Sequence, residues 1–301
     1  MMGRFSLSLG DYVKEDYVPL ILRCLLDRIP VIVYGSEAES ADNLASLMIR
    51  FLPNRLERVF LIDFPTLREY NYITELEKQD LECPRSVFRA PCNSANHILE
   101  GYTDFRGWVV SIVDGEKNIQ ECIQRIEEHS QLTLTVKIFK NSHSISELTP
   151  SKYQNTLDTS FERDLINKIE SESASSIERV KRVLKSKICG STVSPIFSST
   201  LLNFEAEEEG LKESLFNSQI FLFVNACKRA LYLLTRLDLI NEFNIEGVVS
   251  EKTLLDSIKY NCASASRILD FIYAEWGLSF HKYVKSGKLS VLGDIIEGLW
   301  G

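Results

Sequence analysis

The stretch PVIVYGSEAESAD, residues 30–42, decides the fold class. Val31, Ile32, Val33 and Tyr34 run without a polar break between Pro30 and Gly35. A strand buried on both faces reads this way, because a parallel sheet covered by helices leaves neither side in water. Directly after it, residues 39–52 place Leu44, Leu47, Met48 and Phe51 on one helical face. A buried strand followed at once by an amphipathic helix is the repeating unit of an α/β fold.

The same alternation extends in both directions. Upstream, Val18, Ile21, Leu22 and Leu25 predict a helix within residues 15–28, with Pro19 in its first turn. Downstream, Val59 to Ile62 read as a second buried strand capped by Asp63, and residues 66–80 as a polar helix. Residues 86–90 predict a third strand, 93–99 a short helix, and Gly107 to Val113 a fourth strand. Ile119, Cys122, Ile123 and Ile126 share one face of a helix over 116–128. Residues 132–138 alternate apolar with polar, which suits a half-buried strand at a sheet edge. The expectation is an α/β chain: a Rossmann-like, P-loop-like parallel sheet with flanking helices over residues 1–140. A polar, turn-rich linker over 141–160 then leads to a mainly α-helical domain over 161–301. In that domain residues 161–188 read as one long helix and 205–213 as a solvated acidic run. Ile220, Val224, Cys227, Leu231 and Leu234 mark a central helix over 218–240.

Composition narrows the function classes. The chain has 301 residues, 34 Lys plus Arg against 42 Asp plus Glu, and a formal net charge of −8. Nucleic acid repels such a surface unless a local basic patch exists, so nucleic-acid binding is disfavoured. A protein partner is the expected one. The seven cysteines are scattered, with no CxxC, which excludes the usual disulfide and zinc patterns and leaves small buried hydrophobes. Residues 1–16 carry no continuous apolar run, and the longest apolar segment, 219–234, is interrupted by Lys228 and Arg229. No membrane segment and a cytoplasmic location are therefore expected.

In strand–loop–helix layout, residues 30–114 resemble a degenerate RecA/KaiC-type phosphate-loop ATPase domain. That family's GxxxxGK[ST] loop surrounds phosphates with backbone N–H groups. Here Gly35 stands at the first glycine, while Ser40, Ala41 and Asp42 replace the second glycine, the lysine and the hydroxyl residue. VVSIVD, residues 109–114, stands where such a domain has a hydrophobic strand ending in a metal-holding Asp. The resemblance implies a ligand crevice at the strand ends. Glu37, Glu39 and Asp42 put negative charge where a triphosphate would sit, so Mg-ATP chemistry is not expected and no cofactor is assigned. A second pattern, residues 17–64, resembles the central DENN module of vesicle-traffic regulators, which implies a protein-interaction platform.

Residues 245–295 resemble a winged helix. Leu254, Leu255 and Ile258 mark one helix, Ile268, Phe271 and Ile272 a second, and Gly277 is placed to cap it. Ser286-Gly287 then signals a hairpin. If the second helix entered a major groove, Ser264, Arg267, Asp270 and Glu275 would face outward.

The candidate residues follow. Ligands of open α/β sheets bind beyond the carboxyl ends of the strands, which nominates Gly35, Ser36, Ser40, Asp63 and Asp114. A nucleic-acid face would use Arg267, Lys282, Lys285 and Lys288, helped by His281. Arg179, Lys181, Arg182, Lys185 and Lys187 form a further basic stripe, open to a partner or to pairing with residues 205–213. No catalytic residue and no metal site is assigned. The enzymatic alternatives are Cys92 with His97, or an Asp63/Asp114 carboxylate pair. The first expectation is a non-enzymatic regulatory or scaffold protein acting through protein contacts. The alternatives are a ligand-responsive winged-helix DNA-binding regulator and an enzyme with a strand-end site.

Overall fold

The computed structural model describes residues 13–285 apart from 64–65, 103, 114–118, 130–131, 140–141, 150–156, 189–204 and 244–246. A helix α1 (Val18–Leu26) leads into strand β1 (Val31–Gly35) and helix α2 (Ala38–Ile49). There follow β2 (Leu56–Val59), α3 (Leu67–Gln79), β3 (Ser86–Ala90), α4 (Ala95–Gly101), β4 (Trp108–Val113), α5 (Ile119–His129), β5 (Thr133–Phe139) and β6 (Ser142–Thr149). The second half is helical: α6 (Ser160–Ile188), α7 (Glu205–Glu242), α8 (Glu251–Ile258) and α9 (Ala265–Trp276). Two short strands, β7 (Val249–Ser250) and β8 (Val284–Lys285), flank α8 and α9.

The sheet order is β2-β3-β4-β1-β5-β6. The first five strands are parallel and β6 joins β5 antiparallel. From β1 the chain crosses to the far edge at β2, then returns one strand at a time to β4 before passing β1 to β5. Right-handed crossovers in opposite directions place helices on opposite faces. The packing agrees. Val31 and Val33 share a core with α1 and α2, whereas Ile32, Val110 and Ile112 pack on the other face with Tyr70 of α3, Ile98 of α4 and Ile126 of α5. On that second face Trp108 is ringed by Phe60, Tyr70, Phe88, Tyr102 and Phe105, with centroid distances from 5.2 to 6.4 Å.

Two sequence expectations need correction. The second strand is Leu56–Val59, an exposed edge strand, not a buried run at 59–62. Leu61 adopts a left-handed φ of 67° as the chain turns away there. The residues called a linker begin with β6, so β5 is an interior strand and the edge is the Ser- and Thr-rich β6. An antiparallel edge strand needs only one covered face, so it lacks the apolar run that marked the others. The acidic run at 205–213 lies within α7, with Glu205 and Glu207 near its positive amino end, where negative charge is favourable.

The apolar core on the α1/α2 face continues without a break into Phe161, Leu165 and Ile169 of α6, Phe216, Phe223 and Leu234 of α7, and Ile268 and Phe271 of α9. The two halves share one core. No helix among the described residues is long and apolar enough to cross a membrane.

The α8–α9 turn uses standard end chemistry. Ser250 caps α8 by accepting from Thr253 N–H at 3.1 Å, and Ser264 caps α9 by accepting from Arg267 N–H at 3.1 Å. Gly277 ends α9 at φ +73°, as its sequence position predicts. Ser264→Ala removes an amino-end cap and is expected to cost about 1 kcal/mol, read as a shift of the urea midpoint with unchanged slope.

Candidate functional site

The carboxyl ends of β1 and β4 lie side by side, with Gly35 opposite Val113. Connections leave these neighbours toward opposite faces, so this is where a doubly wound sheet opens a crevice. Gly35 and Ser36 are at it. The β1–α2 connection is short: α2 begins at Ala38, with Glu37 as its amino-terminal flanking residue. Ser40 is already inside the first turn, where its hydroxyl donates to the Glu37 carboxylate at 3.4 Å. It does not cap the helix.

Gly35 has an ordinary backbone conformation and serves packing. A Cβ there would stand 3.1 Å from Ile138 Cβ of β5. Asp42, at the hydroxyl position of the phosphate-loop pattern, points across to β3's exit and accepts from the backbone N–H of Cys92 at 3.0 Å. The segment that would cradle phosphate is thus a tight, acid-flanked turn.

Asp63 sits elsewhere. β2 is three strands from β1, about 14 Å at roughly 4.8 Å per strand, so the fold does not bring Asp63 to Gly35. Its carboxylate accepts from Val59 N–H at 2.5 Å, and the Val59 carbonyl accepts from Ile62 and Asp63 N–H groups. These bonds occupy the outward-facing groups of Val59 at the end of the edge strand and blunt that end against strand addition. Asp114 and Lys288 lie outside the described residues.

The Cys92 Sγ is 3.8 Å from the Ala38 carbonyl oxygen, and His97 is exposed on α4. Among the described residues no three metal-capable side chains cluster. Cys24 and Cys227 are fully buried, and burial pushes both thiols well above their ordinary pKa. They act as core residues.

The C-terminal candidates divide. Arg267, placed outward by the winged-helix reading, is 3% exposed. It pairs with Asp27 beyond α1 at 2.9 Å and with Glu162 of α6 at 2.7 Å. Its guanidinium lies over the rings of Phe161 and Phe223, 5.7 and 5.2 Å from their centroids. Asp270 pairs with Arg23, and Glu275 with Arg55. The face of α9 assigned to a DNA groove is therefore the face docked onto the α/β half. Periodicity showed one apolar face of α9 but could not show that Arg267 and Glu275 beside it are buried too. Lys282 is exposed and lies 3.8 Å from Asp238; Lys285 is exposed on β8. β7 and β8 pair in parallel, and the expected hairpin beyond Lys285 lies outside the described residues.

The basic stripe of α6 survives as surface. Nothing in the described part of α6 beyond Ile177 is buried. Arg179, Lys181, Arg182 and Lys185 make no ion pair with any described residue, and on α7 Glu208 pairs with Lys212 of its own helix. Val180 and Val183, 46% and 53% exposed, stand among these cations.

A cavity of about 300 Å³ opens at the opposite, amino-terminal end of the sheet. It is bounded by the residues just before β1, β3 and β4, by the end of α3 and by the end of α9. None of the strand-end candidates lines it; of the residues singled out from the sequence, Glu275 and the capping Gly277 do. Its main residues, Arg28, Arg85, Arg106 and Trp276, are spread over the chain and form no local motif.

Comparison with protein families, with curated proteins and with solved structures finds no match.

Proposed function

We propose that this chain is a non-enzymatic interaction protein that binds an acidic protein partner through the distal part of α6. The observation that carries this reading is the exposed set Arg179, Arg182 and Lys185 interleaved with Val180 and Val183. Cations with nearby apolar residues suit a partner that offers carboxylates around an apolar contact. The tight, acid-flanked β1–α2 turn supports a non-catalytic reading of the sheet's carboxyl end.

The test places a photo-crosslinking amino acid at Val183 in the full chain expressed in cells. The expected result is a discrete adduct that resists nuclease, is digested by protease, and is lost in Arg182→Glu/Lys185→Glu and at about 0.5 M salt, where screening acts within roughly 4 Å. The double variant should keep its stability within about 0.5 kcal/mol, because both side chains are exposed. A nuclease-sensitive adduct would point instead to nucleic acid, and an adduct unchanged by charge reversal would remove α6 as the contact.

A further inference from the structure

We propose that the amino-end cavity is a binding site for a small organic anion, a carboxylate or phosphate carried on a flat apolar body. Its size, about 300 Å³, is at the small end of ligand pockets, and its position at the seam of two halves is where such pockets concentrate.

Four cations and three carboxylates line the wall. Arg28, Lys78, Arg85 and Arg106 line it, and Arg55 lies behind it. Each of the three carboxylates already accepts a hydrogen bond. Glu77 accepts from Ser86 N–H at 2.7 Å, Asp104 from Arg106 N–H at 3.1 Å, and Glu275 from Arg55 at 2.7 Å.

The guanidinium charges also oppose one another. Burial lowers the pKa of Arg55 and of Arg85, and the charge of Arg28 lowers both further against the pull of Glu275. Arg85 is only 5% exposed. An anion relieves this repulsion, and guanidinium forks suit carboxylate and phosphate oxygens. The backbone supports the arrangement. Arg28 has a left-handed φ of 58°, and its carbonyl accepts from Gly107 N–H at 2.9 Å. Gly107 is at φ +76°, and a Cβ there would be 3.3 Å from Arg28 Nε, so glycine leaves the space the guanidinium occupies. Tyr70 and Trp276 supply the aromatic surface.

The experiment is a thermal-shift titration of the full chain with phenyl phosphate, benzoate and inorganic phosphate, each against chloride at matched ionic strength. Phenyl phosphate or benzoate is expected to raise the melting temperature by about 5 °C at a hundredfold excess over its dissociation constant. Inorganic phosphate alone should do less; the stronger of the two aromatic probes identifies the anionic group. Lys78→Gln/Arg106→Gln changes two exposed residues, should fold normally, and is expected to weaken binding at least tenfold. No shift beyond chloride with any probe overturns the proposal. So does a shift of equal size in the double variant, which would mean adventitious anion binding elsewhere. Neither result bears on the α6 crosslink, so the two proposals fail separately.

Discussion

Arg267→Leu lowers the melting temperature by about 6–10 °C. Removing one partner of a buried ion pair costs roughly 3–5 kcal/mol, because the charges left behind have no water. In a chain larger than 250 residues each kcal/mol moves the midpoint by about 2 °C. The charge stranded most completely is Glu162, whose side chain is fully buried. Asp27 keeps its second partner, Arg23, at 2.7 Å. Burial pushes Arg267 down, but the carboxylates of Asp27 and Glu162 outweigh it and hold the guanidinium above its ordinary pKa. Arg267→Lys keeps the charge without the fork that reaches both carboxylates, so it recovers only part of the loss. Arg267→Leu with Glu162→Leu should recover most of it, and the cycle gives the coupling energy directly.

The defect also carries a pH signature. Burial raises Glu162 above its ordinary carboxyl pKa, and Arg267 then Arg23 oppose that rise. A carboxyl whose folded pKa is raised binds protons more tightly in the native state. Its contribution is complete below the unfolded value and is lost as pH rises through the folded one. Removing Arg267 removes the main opposing charge, so the folded pKa of Glu162 climbs further. The gap between wild type and Arg267→Leu should therefore narrow as pH falls from 8 toward 5. A gap that widens on acidification would mean that Glu162 is not the stranded charge.

The same residue shows where the sequence stopped being readable. The spacing of Ile268, Phe271 and Ile272 marked the apolar face of α9, and that face is buried. Arg267, Asp270 and Glu275 looked like the solvent side because charge usually goes there. Their partners, Asp27, Glu162, Arg23 and Arg55, lie 105 to 247 positions away or on another element, and no local pattern announces them. Gly35 is a parallel case. A glycine at the end of a buried strand invites a phosphate reading, yet its reason is Ile138 on a strand whose adjacency only the tertiary fold sets. Strands buried on both faces were legible because burial writes itself as an unbroken apolar run; β6, polar and at an edge, was not. The amino-end cavity is a meeting of loops and helix ends, each unremarkable in its own segment.

Phe223→Ala tests whether the two halves are one cooperative unit, as their continuous core implies. Phe223 is 0% exposed and packs on Phe161 at 4.6 Å, Phe271 at 5.0 Å and Tyr260 at 6.2 Å between ring centroids. Truncating a buried Phe costs about 3–5 kcal/mol, through lost transfer energy and the cavity left behind. The Arg267 guanidinium lies on the same ring, so the variant also loosens the ion-pair cluster, and combining it with Arg267→Leu should cost less than the sum. Native-state hydrogen exchange is the decisive readout. In one cooperative unit the amides of β1 and β4 lose protection by the same factor as those of α7. If α7 alone loses protection while β1 and β4 keep the wild-type values, the shared core is a contact between two independent units, and the division near residue 160 is thermodynamic as well as topological.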